Sequence, residues 1–225
     1  MEKNTDKKIK KDLFSVQPTT VLNAIQQLRQ IGTPVYLETL LEVLCITVNN
    51  EVRASILALL DDLKDKRAVP VILKAIKNRK CLNDRGAIVS SCWKSGLNFS
   101  SHLEVFLAIF IEEDFITALE AYSVLENNIP DIPRTSTDKH LNFLLENMNQ
   151  IPDDRKPLAD DIRKMLEEMG IEQERVQMFN IAASDAPEFA RVAKLMTEKI
   201  RRLGPNPIKG KGSGQSEAVT GVAEG

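Results

Sequence analysis

An all-α fold, an α-solenoid closed by a C-terminal helical cap, is predicted by three features of this 225-residue chain. Apolar residues recur at helical spacing in successive segments, and no window alternates with period 2 between hairpin turns. The helices are punctuated by caps and prolines rather than by long loops. A two-helix layout also returns after 32 positions, from Arg53 to Arg85, and repeated two-helix units in which each covers its neighbour's apolar face define a solenoid.

Residues 1–16 carry Lys3, Lys7, Lys8, Lys10 and Lys11 with few apolar side chains, which reads as a flexible basic arm. From Thr19 to Ile31, Leu22, Ile25 and Leu28 share a stripe. Gly32 is expected to close that helix, and Thr33-Pro34 to open the next. The second helix runs through Leu37, Leu40, Leu41 and Leu44 to about Val48, and Asn49-Asn50 offers a new N-cap. A third follows with Val52, Ile56, Leu59, Leu60 and Leu63. A fourth starts near Pro70 and carries Val71, Ile72, Ala75 and Ile76.

The repeat then propagates in both directions. Arg53-Ala54-Ser55-Ile56 matches Arg85-Gly86-Ala87-Ile88, and Leu60 matches Leu28 on one side and Cys92 on the other. Phe115 to Asn127 reads as the first helix of a fourth unit, with Leu141, Phe143, Leu144 and Met148 in its second and the Ile129–Pro133 segment as a rigid bend between them. The array so expected covers residues 17–150. Residues 151–203 form the cap. One of its helices lies between Pro157 and Gly170, and the other follows Asp185, where Glu188 completes a capping box and Phe189, Val192, Ala193, Met196 and Ile200 form a stripe. The Gly, Pro and Ser of residues 204–225 read as a disordered tail.

Asn50 to Leu60 and Lys66 to Ile76, with Val52-Arg53 starting one helix and Ala68-Val69-Pro70 the next, resemble HEAT repeats, the short bacterial kind also seen in phycobilisome-lyase-like proteins. The resemblance spans roughly Val21 to Asn127. It implies a right-handed solenoid of about four HEAT-like repeats whose second helices line a concave face. It also implies a non-enzymatic scaffold or adaptor that holds a protein partner along that face. Nucleic-acid binding through the basic stripe from Lys74 to Arg85, or lyase-like HEAT catalysis, are the alternatives.

Composition narrows the chemistry. The formal net charge of −2, with 28% charged and 5% aromatic residues, argues against a dedicated nucleic-acid binder. No apolar run approaches the ~20 residues of a membrane span, and three cysteines without CxxC spacing fit reduced thiols in a cytoplasmic protein. His102 and His140 lack metal-ligand spacing and are expected to be partly exposed. Cys92 is expected to be a buried small hydrophobe, while Cys81 stands beside Arg79 and Lys80 with no base in view. No catalytic residue, metal site or cofactor is therefore assigned.

The charges are sorted along the chain. Lys64 to Arg85 holds eight bases against two acids, and Phe99 to Pro133 holds seven acids and no Lys or Arg. Side by side these become a basic stripe next to an acidic one. Lys74, Lys77, Arg79 and Lys80 are the candidate partner-binding residues, facing an acidic protein segment.

Overall fold

The computed structural model describes residues 2–31, 34–171, 173–175, 177–179, 181 and 185–205. These are all-helical, with no strand among them, and no helix among them is long and apolar enough to cross a membrane. The α-helices are α1 (Glu2–Leu13), α2 (Pro18–Ile31), α3 (Leu37–Leu44), α4 (Asn50–Asp61), α5 (Ala68–Ile76), α6 (Arg85–Ser95), α7 (Leu103–Glu112), α8 (Phe115–Asn128), α9 (Arg134–Asn147), α10 (Lys156–Met169) and α11 (Ala186–Leu203). Gly32 and Thr33, offered as a cap and a helix start, lie outside the described residues, as do 206–225 of the expected tail.

The local signals act where side chains reach free amides. Asn49 accepts from the Glu51 and Val52 amides to start α4, and Asp114 does the same for Ile116 and Thr117 at α8. Gly96, at φ +67°, ends α6 in the left-handed conformation that glycine adopts without a Cβ penalty. The second helix is shorter than expected: α3 stops at Leu44, and Ile46 and Val48 are exposed. Thr47 and Val48 are β-branched, and Asn49 is needed as the cap of α4, so the chain leaves the helix early.

Packing joins many alternate helices. α2 lies on α4, α4 on α6, α6 on α8 and α8 on α10, while α3 lies on α5 and α7 on α9. Leu28, Leu60 and Cys92 are all buried along the first of these series. Gly86 lets α6 lie close against α8, since a Cβ there would sit 2.8 Å from Thr117 Oγ1. Phe99 and Phe106, edge to face at 5.4 Å, anchor the base of α7.

The repeat-related arginines do equivalent work. Arg53 on α4 pairs with buried Asp84 at the head of α6, and Arg85 on α6 pairs with Glu113 at the end of α7. Each ties one helical pair to the next. The stretch expected to be a flexible arm is instead helix α1. It packs on α2 and α3 and buries Ile9 and Leu13, one turn apart, so two apolar side chains suffice once a neighbouring groove receives them.

Candidate functional site

The four candidate basic residues are exposed, and Lys74 and Lys80 line one groove while Lys77 borders another. Lys74 on α5 donates to Glu38 Oε1 on α3 at 2.5 Å, an interaction that holds the Glu38 carboxyl below its ordinary pKa and raises that of Lys74. Lys77 closes α5 beside a shallow depression that also holds Arg85, Glu104, Glu112 and Glu113. Arg79 and Lys80 lie on the 3₁₀ turn Arg79–Asp84, whose start is capped by Asn78 Oδ1 accepting from the Lys80 amide at 3.0 Å.

Much of the sorted charge is used inside the fold. Besides the Arg53 and Arg85 pairs, Lys64 Nζ donates to the Ser95 carbonyl, and Trp93 Nε1 donates to Glu120 Oε2 at 2.6 Å. The basic and acidic stretches meet at the Arg85–Glu113 pair.

Two cysteines expected as free thiols are joined. Cys45, which caps the end of α3, forms a disulfide with Cys81 on the 3₁₀ turn. Their separation of 36 residues carries no pairing signal in sequence. The contact exists because α3 packs on α5, which delivers the following turn to the end of α3. Cys92 is fully buried, as expected, and burial pushes its thiol pKa up. His140 is not partly exposed as expected. It is 4% exposed on α9, and that burial lowers its pKa, disfavouring the imidazolium.

Exposed apolar side chains gather on two helices, Phe115, Ile116 and Leu119 on α8 and Phe189, Leu195 and Ile200 on α11. α10 is anchored, with Ala159, Ile162 and Leu166 fully buried against α8 and α9. α11 differs. Its N-cap Asp185 accepts from the Glu188 amide at 3.1 Å, Glu188 pairs with Arg191, and its last carbonyls accept from Arg175 at 3.0 Å. The helix is therefore well made, and its principal contact is the 3₁₀ turn Gln173–Arg175. Of its stripe, only Val192 is buried. Phe189 is 66% and Ile200 43% exposed, and Leu195, beside the stripe, is 42% exposed. The stripe was readable as a period, but its failure to find a core was not. Phe189 and Ile200 share one face of the helix about three turns apart, with Arg191, Lys194 and Lys199 nearby, the layout of a helix that enters a partner's groove.

Comparison with known proteins falls on this segment. The model of the FlpD family (methyl-viologen-reducing hydrogenase, delta subunit) matches residues 151–204. The vhu iron-sulfur protein of the F420-non-reducing hydrogenase of Methanococcus maripaludis is 45% identical over 47 residues, 21% of this chain and 35% of that protein. Its counterparts in Methanococcus voltae and Methanocaldococcus jannaschii are 40% and 38% identical over the same length. The chain thus spans about a third of the length of these relatives.

These matches correct the expected kinship. The likeness is to hydrogenase iron–sulfur proteins of the FlpD kind and not to HEAT repeats, and the family match lies outside the stretch that carried the HEAT resemblance. The reason is physical. An arginine early in one helix and a proline in the first turn of the next serve any stack of helical pairs, as Arg53 and Arg85 do here, and so identify no family. The generic scaffold along a concave face, with its nucleic-acid and lyase alternatives, falls with that kinship.

The relatives' description raises an iron–sulfur cluster, which cysteine thiolates would hold. Residues 151–204 contain neither Cys nor His. Elsewhere Cys45 and Cys81 are bonded to each other and Cys92 is buried. No group of three or more His, Cys, Asp or Glu among the described residues could hold a metal. The residues present do not fit such a cluster.

Proposed function

We propose that this chain is a non-catalytic component that joins a hydrogenase-type redox assembly in the cytoplasm by docking residues 151–204, with α11 as the inserted helix. The observation that carries the reading is a coincidence of two independent boundaries. The segment that is similar to the hydrogenase proteins is also the segment whose amphipathic helix leaves Phe189, Leu195 and Ile200 in water. An assembled partner is the usual destination of such a face. In this reading residues 17–150 are a stacked-pair, solenoid-like body that carries the docking segment, a view supported by the α2–α4–α6–α8 series of contacts.

The test is capture from a cell that makes both this chain and a hydrogenase of the methyl-viologen-reducing type. The tagged full chain is expected to retain hydrogen-dependent methyl-viologen reduction on the affinity matrix, and Phe189→Asp with Ile200→Asp to lose it. Equal retention by both proteins, or none by either, contradicts the proposal.

A further inference from the structure

We propose that the Cys45–Cys81 disulfide is a thiol–disulfide exchange site, open to a groove between α3 and α5, where a small dithiol attacks the Cys45 sulfur. The groove has a volume of about 420 Å³, and both cysteines form part of its wall. Leu41, Ile46 and Val71 supply apolar wall, and Lys74 and Lys80 stand against Glu38 and Glu42, so it selects for size and apolarity rather than net charge.

The two sulfurs are not equivalent. Cys45 follows the last turn of α3 and is half-buried, whereas Cys81 is only 3% exposed, drawn inward by its amide donating to the Asn78 carbonyl at 3.0 Å. Access decides which sulfur of a disulfide is attacked, so Cys45 receives the thiolate and Cys81 leaves. The surrounding fold does not depend on the bond. Leu40, Leu44, Ile72 and Ile76 are buried where α3 and α5 pack, contacts that are made without the two sulfurs. Cys92 is fully buried, with Sγ donating to the Ile88 carbonyl at 3.4 Å, and cannot intercept the exchange. On the cytoplasmic location proposed above, where thiols keep the compartment reducing, a disulfide that a dithiol can reach is the cycling kind rather than the structural kind.

The step balances. A dithiol thiolate forms a bond to Cys45 Sγ as the Cys45–Cys81 bond breaks, and the electron pair leaves on Cys81, which takes a proton. The dithiol's second thiolate then closes on its own bound sulfur and releases Cys45, which is protonated in turn. Two electrons and two protons pass from the dithiol, which departs as a cyclic disulfide, to the cysteine pair.

The experiment uses the intact folded chain with dithiothreitol, quenched by N-ethylmaleimide and read by intact mass and peptide mapping. Two adducts are expected without denaturant, on Cys45 and Cys81, with Cys92 labelled only after unfolding. Oxidised dithiothreitol is expected to restore the bond. With Ellman's reagent, Cys81→Ser is expected to react roughly tenfold or more faster than Cys45→Ser. Circular dichroism shows whether each variant is folded, and the native mass readout decides the matter if one is not. The proposal is overturned by a bond that opens only after denaturation, by a chain that never forms it, or by a Cys45→Ser variant that reacts as fast.

Discussion

The Arg155 guanidinium donates from Nη1 to the Phe110 carbonyl at 2.9 Å, and to that of Glu113 at 2.8 Å. A residue at the head of the hydrogenase-like segment thereby satisfies the open carbonyl end of α7, and it does so while 4% exposed. This contact fixes the start of residues 151–204 to the end of α7.

Arg155→Ala is accordingly expected to cost about 3 kcal/mol, because two carbonyls at a buried helix end lose a charged donor at once. Urea unfolding measures it. Lysine lacks the planar fork and is expected to recover only part of the loss.

Leu60→Ala is expected to cost about 2–5 kcal/mol. Leu60 is 1% exposed on α4, which packs on both α2 and α6, so truncation leaves a cavity that rigid neighbours cannot fill. A thermal melt coincident with that of the parent would refute the layer read from the 32-residue repeat.

Stability is expected to fall as pH drops below about 6.5, the ordinary histidine value that the unfolded chain would show. Burial lowers the folded pKa of His140, so below that pH the unfolded state binds a proton that the folded state refuses. Glu104 opposes the shift and Lys139 adds to it. The contribution is complete above the unfolded pKa and is lost on acidification toward the lower folded one. Comparing denaturant midpoints at pH 7.5 and 5.5 checks it, and His140→Gln is expected to flatten the difference.

What the sequence disclosed follows physical range. Caps act within three residues, so Asn49, Asp114 and Asp185 were legible or lay close to what was read. The equivalence of Leu28, Leu60 and Cys92 needs only a constant repeat. Pairings across the stack do not announce themselves: Cys45 meets Cys81, and the Ile9–Leu13 pair finds a groove, only because other helices have already packed. The charge sorting was visible, but its use by Arg53, Arg85 and Trp93 in seams between helices was not. The α11 stripe shows the limit most sharply, since periodicity reports an apolar face and says nothing of what covers it.

The central claim, that α11 docks onto a hydrogenase-type assembly, is tested most directly by the affinity of the purified full chain for a purified methyl-viologen-reducing hydrogenase complex. Phe189 is 66% exposed, so Phe189→Asp is expected to change folding stability by less than about 0.5 kcal/mol. As an interface anchor worth about 2 kcal/mol, it is expected to weaken binding roughly thirtyfold, with Ile200→Asp adding a further loss. The account predicts saturable binding by the native chain and that loss in a variant whose circular dichroism and melting are unchanged. Binding of equal strength by the folded variant, or no binding by the native chain, would contradict it.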